Sequence, residues 1–125
     1  MERVLVVDDQ MGIRVLLKEI LEEEGYITDV AESGAEALSF LKNSHPQIVL
    51  LDMSMPLMDG LEVLKEMKGM ASEARVIMMT AYGEAEYAAK ARELGAYAYV
   101  TKPFDIVRLC DMVAMACGRK SAVRQ

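Results

Sequence analysis

Two adjacent carboxylates, Asp8 and Asp9, follow directly on the apolar run 4–7, and a third, Asp52, follows directly on the apolar run 48–51. Thr80 closes the run 75–79 in the same way, and Thr101-Lys102 close 97–100. Taken singly, each has a plain reading: Asp9 as a helix cap, Asp52 as a loop carboxylate, Thr80 as a cap or turn residue, Lys102 as a solvated charge. Brought together they change character. Three converging carboxylates repel one another and raise one another's pKa, so positive charge must offset them, and Lys102 with a divalent cation would do so. Hard oxygen donors with no Cys or His beside them suit Mg²⁺ better than Zn²⁺, with Mn²⁺ as a substitute. A carboxylate, a Mg²⁺ site, a hydroxyl and a lysine are the parts of phosphoryl transfer. Asp52 would attack phosphorus and form an acyl phosphate, while the metal, Lys102 and Thr80 hold the equatorial oxygens as charge develops.

Whether these side chains meet depends on the elements that carry them. The run 4–7 reads as a strand, and from 10 to 24 the residues Ile13, Leu16, Leu17, Ile20 and Leu21 form one helical face that Gly25 stops. Residues 26–31 read as a second strand. Ser33-Gly34 open a helix ending near Leu41, and 43–46 form a turn. The third strand is 48–51, then a loop over 53–60 with an Asp59-Gly60 turn signal, then a helix over 61–68. A fourth strand over 75–79, an Ala-rich helix over 84–94 stopped by Gly95, a fifth strand over 97–100 and a helix capped by Asp105 and running to about Cys117 complete the chain. Alternation of this kind predicts an α/β fold, a parallel sheet with helices on both faces. Unbroken apolar strands fit a sheet covered on both sides. In such a sheet ligands bind beyond the carboxyl ends of the strands, which is where Asp8, Asp9, Asp52, Thr80 and Lys102 fall.

A length of 125 residues is that of one domain. Apolar residues at 53% and charged residues at 27% make it globular rather than disordered. Fourteen basic against twenty acidic side chains, a net charge of −6, argue against a general nucleic-acid binder. No apolar run approaches the ~18 residues of a membrane span, and the start reads as strand without a signal-peptide layout, which predicts a cytoplasmic protein. Two enzymatic rivals fit poorly. A flavodoxin-type site needs a hydroxyl- and glycine-rich phosphate cradle after the first strand, where Asp8-Asp9-Gln10 would repel one. A dehalogenase-type phosphatase needs an acid two residues after its nucleophile, and Ser54 stands there. No GxxxxGK[ST] loop occurs.

The stretches VLVVDDQ, IVLLDMSMPLMDGLEVL, VIMMTAYG, ELGA and YVTKPFD occur in the order and spacing of a known family. The whole chain resembles the receiver domain of two-component response regulators. Within that family DDQMGIRVLLKEILEEEGY, MTAYGE and KPFDI are most similar to the stand-alone sporulation-phosphorelay type, and receivers of nitrogen-regulation transcription factors look similar over much the same stretches. The resemblance implies a flavodoxin-like doubly wound (βα)5 fold with strand order 2-1-3-4-5, residues 1–118 forming the receiver and 119–125 a polar basic tail or the start of a linker. It implies that Asp52 accepts a phosphoryl group from a phosphohistidine, that Asp9, Asp52 and the Ser54 carbonyl bind Mg²⁺, and that Asp8 acts largely through water. It implies that Thr80 and Lys102 contact the phosphoryl group and that Lys102-Pro103 is a cis peptide. Such a protein is a signalling receiver that catalyses its own aspartyl phosphorylation rather than a free-standing enzyme.

Further residues follow from the same likeness. Tyr99 stands three before Lys102, where the family places a switch aromatic; it otherwise covers the sheet edge. The positions that tune dephosphorylation hold Ser54 and Tyr82, neither an acid nor a carboxamide, which predicts a long-lived phosphoryl group. Met11 and Val15 fall off the core stripe of the first helix, beside Lys18 and Glu22. The resemblance places partner contact at Gln10, Met11, Gly12, Ile13 and Pro103, the partner being a sensor histidine kinase or a histidine phosphotransferase. His45, before Pro46, reads as structural, as do Met53, Met55, Met78 and Met79 in the core. Cys110 and Cys117, on one helical face, read as small buried apolar groups. A monomer or a phosphorylation-linked dimer is expected. The second hypothesis is the same receiver belonging to a larger transcription regulator with a separate DNA-binding domain.

Overall fold

Every apolar run read from the sequence forms a strand, and the computed structural model describes residues 2–81 and 85–119. The order is β1 (Arg3–Val7), α1 (Met11–Glu23), β2 (Ile27–Ala31), α2 (Gly34–Asn43), β3 (Ile48–Asp52), α3 (Gly60–Gly69), β4 (Arg75–Thr80), α4 (Ala85–Glu93), β5 (Ala98–Thr101) and α5 (Ile106–Ala116). The strands make one parallel sheet in the order β2-β1-β3-β4-β5.

The period of two along each strand splits the core into two layers. Leu5, Val7, Val49, Leu51, Val76 and Met78 face α2, α3 and α4 together with Val63, Leu64, Met67 and Ala91. Val4, Val6, Ile48, Leu50, Ile77 and Met79 face α1 and α5 through Leu17, Leu21, Leu109 and Val113. Fully burying one such side chain stabilises by about 1.5–3 kcal/mol, so both layers bind the helices firmly to the sheet. Met53, Met55, Met78 and Met79 are all buried, as the sequence predicts.

The starts of α2, α3 and α5 are fixed by side chains. The Ser33 hydroxyl accepts from the Glu36 amide, Asp59 and Glu62 form a reciprocal capping box, and Asp105 accepts from the Arg108 amide. Gly25 and Gly95 adopt φ of +96° and +99°, the left-handed turn that ends α1 and α4.

The first helix departs from its sequence reading in two ways. Its cap is Gln10, with no side-chain bond, so Asp9 is not the cap. Leu16 is 41% exposed rather than in the core. Leu16 lines a groove with Pro103, Phe104 and Ile106, whereas Ile13, which reaches the same groove, also packs against the core layer beneath α1 and α5. Cys110 and Cys117 are half-buried and free, and burial pushes both thiols up. No helix among the described residues is long and apolar enough to cross a membrane.

Candidate functional site

Strand register brings the polar residues together. Val7 pairs with Leu51, Asp52 with Met79, and Thr80 with Thr101. Asp8, one step beyond Val7, therefore lies level with Asp52, and Lys102, one step beyond Thr101, reaches the same edge. The Lys102 ammonium lies 2.8 Å from Asp8 Oδ2 and 3.4 Å from Asp52 Oδ1, joining residues 94 apart in sequence. One carboxylate oxygen each from Asp8, Asp9 and Asp52 lie within 4.8 Å of one another. Asp8 and Asp52 are buried and Asp9 is exposed.

Asp8 is held on every side. Its amide donates to the Ala31 carbonyl (3.1 Å), its Oδ1 accepts from the Gln10 amide (2.9 Å), and its carbonyl accepts from Arg14 (2.8 Å). Asp52 Oδ1 accepts from the Ser54 amide at 3.3 Å. Burial pushes the Asp52 pKa up to about 6; the charge of Asp8 adds to this, while Lys102 and the Ser54 amide pull the other way. Burial works against the Lys102 ammonium, but the bond to Asp8 and the charges of Asp52 and Asp8 outweigh it and its pKa is raised.

Thr80 is buried at the end of β4, its hydroxyl donating to the Val100 carbonyl (3.3 Å). Lys102-Pro103 is a cis peptide, with the Lys102 amide on the Thr80 carbonyl at 2.7 Å. Tyr99 is exposed, its ring beneath the Arg92 guanidinium at 5.7 Å. Tyr82 lies outside the described residues, so the tuning position there has no structural description. Gln10, Ile13, Leu16, Lys102, Pro103, Phe104 and Ile106 line a groove of about 550 Å³ at the site's rim. Met11 (69%) and Val15 (60%) stand exposed on α1, and Gly12 is exposed as well. A larger depression, about 660 Å³, lies at the opposite end of the strands and holds His45 but none of the clustered carboxylates.

Sequence reading passed over two residues here. Gly60 looks like an ordinary turn glycine, yet a Cβ on it would come 2.5 Å from the Asp52 carbonyl and 2.9 Å from Met53 Cα. Arg14 looks like a solvated charge, yet it bonds the main chain of Asp8. The available signal was its place in the first helical turn, where the macrodipole disfavours a cation.

The sequence model of the response regulator receiver domain matches residues 4–114. The chain belongs to this family. This receiver is 49% identical over 120 residues to Sporulation initiation phosphotransferase F of Bacillus subtilis (strain 168), covering 96% of the chain and 97% of that protein. It is 40% identical to Regulatory protein AtoC of Escherichia coli (strain K12), over 98% of the chain but 27% of that longer protein. Among solved structures the receiver domain of NtrX from Brucella abortus superposes with a TM-score of 0.87 at 36% identity, covering 92% of this receiver and 98% of that chain. The doubly wound, flavodoxin-like fold implied by the residue likeness is thus the observed one.

Proposed function

We propose that this receiver takes a phosphoryl group from a phosphohistidine onto Asp52 and passes it to a further histidine. The supporting observation is Lys102 between Asp8 and Asp52, at 2.8 and 3.4 Å, beside a third carboxylate, Asp9. Both bonds to the Asp52 carboxylate fall on Oδ1, leaving Oδ2 as the attacking oxygen. Its attack forms the phosphorus–oxygen bond of an acyl phosphate as the phosphorus–nitrogen bond breaks and the electron pair returns to the imidazole. Lys102 stands ready to meet a phosphoryl oxygen, and the Thr80 hydroxyl, now on the Val100 carbonyl, supplies a donor that moves inward. Tyr99, on the neighbouring strand, would follow it as the switch aromatic.

The three-carboxylate cluster fits a hard divalent ion, since its donors are oxygens and one of them, Asp52, carries a raised pKa that more positive charge would relieve. Asp9, Asp52 and the Ser54 carbonyl would hold Mg²⁺, or Mn²⁺ in its place, with Asp8 acting largely through water. The ion supplies charge neutralisation of the transferring group.

The donor is a histidine kinase and the acceptor a histidine phosphotransferase, both docking at Gln10, Met11, Gly12, Ile13 and Pro103, where apolar surface stands exposed beside the reacting carboxylate. Likeness to a protein named a sporulation phosphotransferase supports the relay role. Incubation with a phosphorylated histidine protein tests this: label should move to the wild type, and none to Asp52→Asn. Label that moves equally to both would overturn it. Ser54, without a carboxylate or carboxamide, leaves water unpositioned, so the isolated phosphoprotein should persist for hours. Decay within seconds would exclude a relay that stores its phosphoryl group.

A further inference from the structure

Arg14 lies in the first turn of α1, a place unfavourable to positive charge, yet its side chain is only 14% exposed. Its Nη1 donates to the Asp8 carbonyl at 2.8 Å. Its second partner is remote: Glu32 Oε2 lies 3.8 Å from Nη2 and is 66% exposed, a surface pair worth little. The main-chain bond is therefore the interaction that accounts for burying this side chain.

That bond acts on one residue above all. Asp8 is fixed through its own carboxylate by Gln10 and Lys102, and Asp52 is fixed by β3, Ser54 and Lys102. Asp9 is exposed, and among the described residues no hydrogen bond or ion pair holds its carboxylate. Its direction is set by the main chain, through the peptide whose carbonyl Arg14 grips.

We propose that Arg14 is a positioning residue for the cation site, fixing the Asp8–Asp9 peptide and so the aim of the Asp9 carboxylate. The inference rests on reading the acidic cluster as a Mg²⁺ site. It makes a prediction opposite in sign to simple electrostatics. Removing a cation from beside a cation site should tighten metal binding by Coulomb's law alone. Removing a positioning residue should weaken it, as loss of outer groups around metal ligands weakens metal affinity by roughly 10–100-fold.

The test is calorimetric titration of the full chain with MgCl₂. Arg14→Met and Arg14→Gln should each bind about tenfold more weakly than wild type, and Arg14→Lys, which keeps charge and a donor, should recover most of the loss. Glu32→Gln should bind within about twofold of wild type. At saturating Mg²⁺ the rate of labelling by acetyl phosphate should return to the wild-type value in both neutral variants, a recovery that a damaged fold would not give. Melting in chelator reports on folding, and if Arg14→Met fails to fold, Arg14→Gln carries the test. Neutral variants that bind Mg²⁺ as tightly as wild type, or more tightly, overturn the inference. A wild type that takes up no Mg²⁺ overturns the cation-site reading and the inference with it.

Discussion

At neutral pH the Asp52 carboxylate is ionised in a buried setting, next to the charge of Asp8 and with Lys102 between them. Its pKa of about 6 lies above the ordinary 3.8, and the sign of the consequence is fixed. Below pH 3.8 the group costs nothing, and between 3.8 and 6 the unfolded chain gives up its proton first, so unfolding gains. Above pH 6 the full cost stands. In metal-free buffer Asp52→Asn should therefore be more stable than wild type at neutral pH, by on the order of 2 kcal/mol. Urea titrations should show the gap closing as pH falls toward 4 and shrinking when Mg²⁺ is added. Lys102→Met should act oppositely, leaving the buried Asp8 carboxylate without its ion-pair partner. A loss of roughly 3–5 kcal/mol is expected. The identities of these residues were legible in the sequence because acids, a hydroxyl and a lysine each follow an apolar run. Arg14 was not, since only the fold turns it from solvent toward the Asp8 carbonyl. The plain reading of Asp9 as a cap failed for a related reason: Gln10 occupies that position, and Asp8 takes the Gln10 amide.

Element boundaries were legible to within a residue or two, because the inner strands β1, β3 and β4, buried on both faces, read as near-continuous apolar runs and glycines mark where α1 and α4 end. What escaped is how elements meet at the site's edge. Leu16 belongs to the apolar stripe of α1 by period alone, yet it is exposed and lines the groove shared with the 103–106 segment. Gly60 is the second case, since the N-terminus of α3 packs directly on the end of β3. Gly60→Ala must push rigid main chain at Asp52 and should cost about 1–3 kcal/mol, with weaker Mg²⁺ uptake. Gly12→Ala is the control: a Cβ there meets nothing within 4 Å, and α1 should gain up to about 1 kcal/mol. Thermal melts of the two variants check both. On the exposed face of α1, Met11→Glu should slow transfer from a histidine protein by tenfold or more, about 1.4 kcal/mol, while acetyl phosphate labels it normally. Equal loss from both donors would mean damage to the site rather than to docking.

For the molecule as a whole, right-handed parallel alternation sends every strand's carboxyl end to one edge, and that rule let residues 94 apart be placed together before any distance was known. The strand order itself came from family likeness and not from periodicity. The proposed reaction draws on the residues at that edge, so one measurement bears on it most directly. Purified protein is mixed with acetyl phosphate and Mg²⁺ and followed by intact mass, with Asp52→Asn alongside. A Mg²⁺-dependent gain of one phosphoryl group on the wild type, absent from Asp52→Asn, is the expected result. No gain, or the same gain on the variant, would contradict Asp52 as the acceptor.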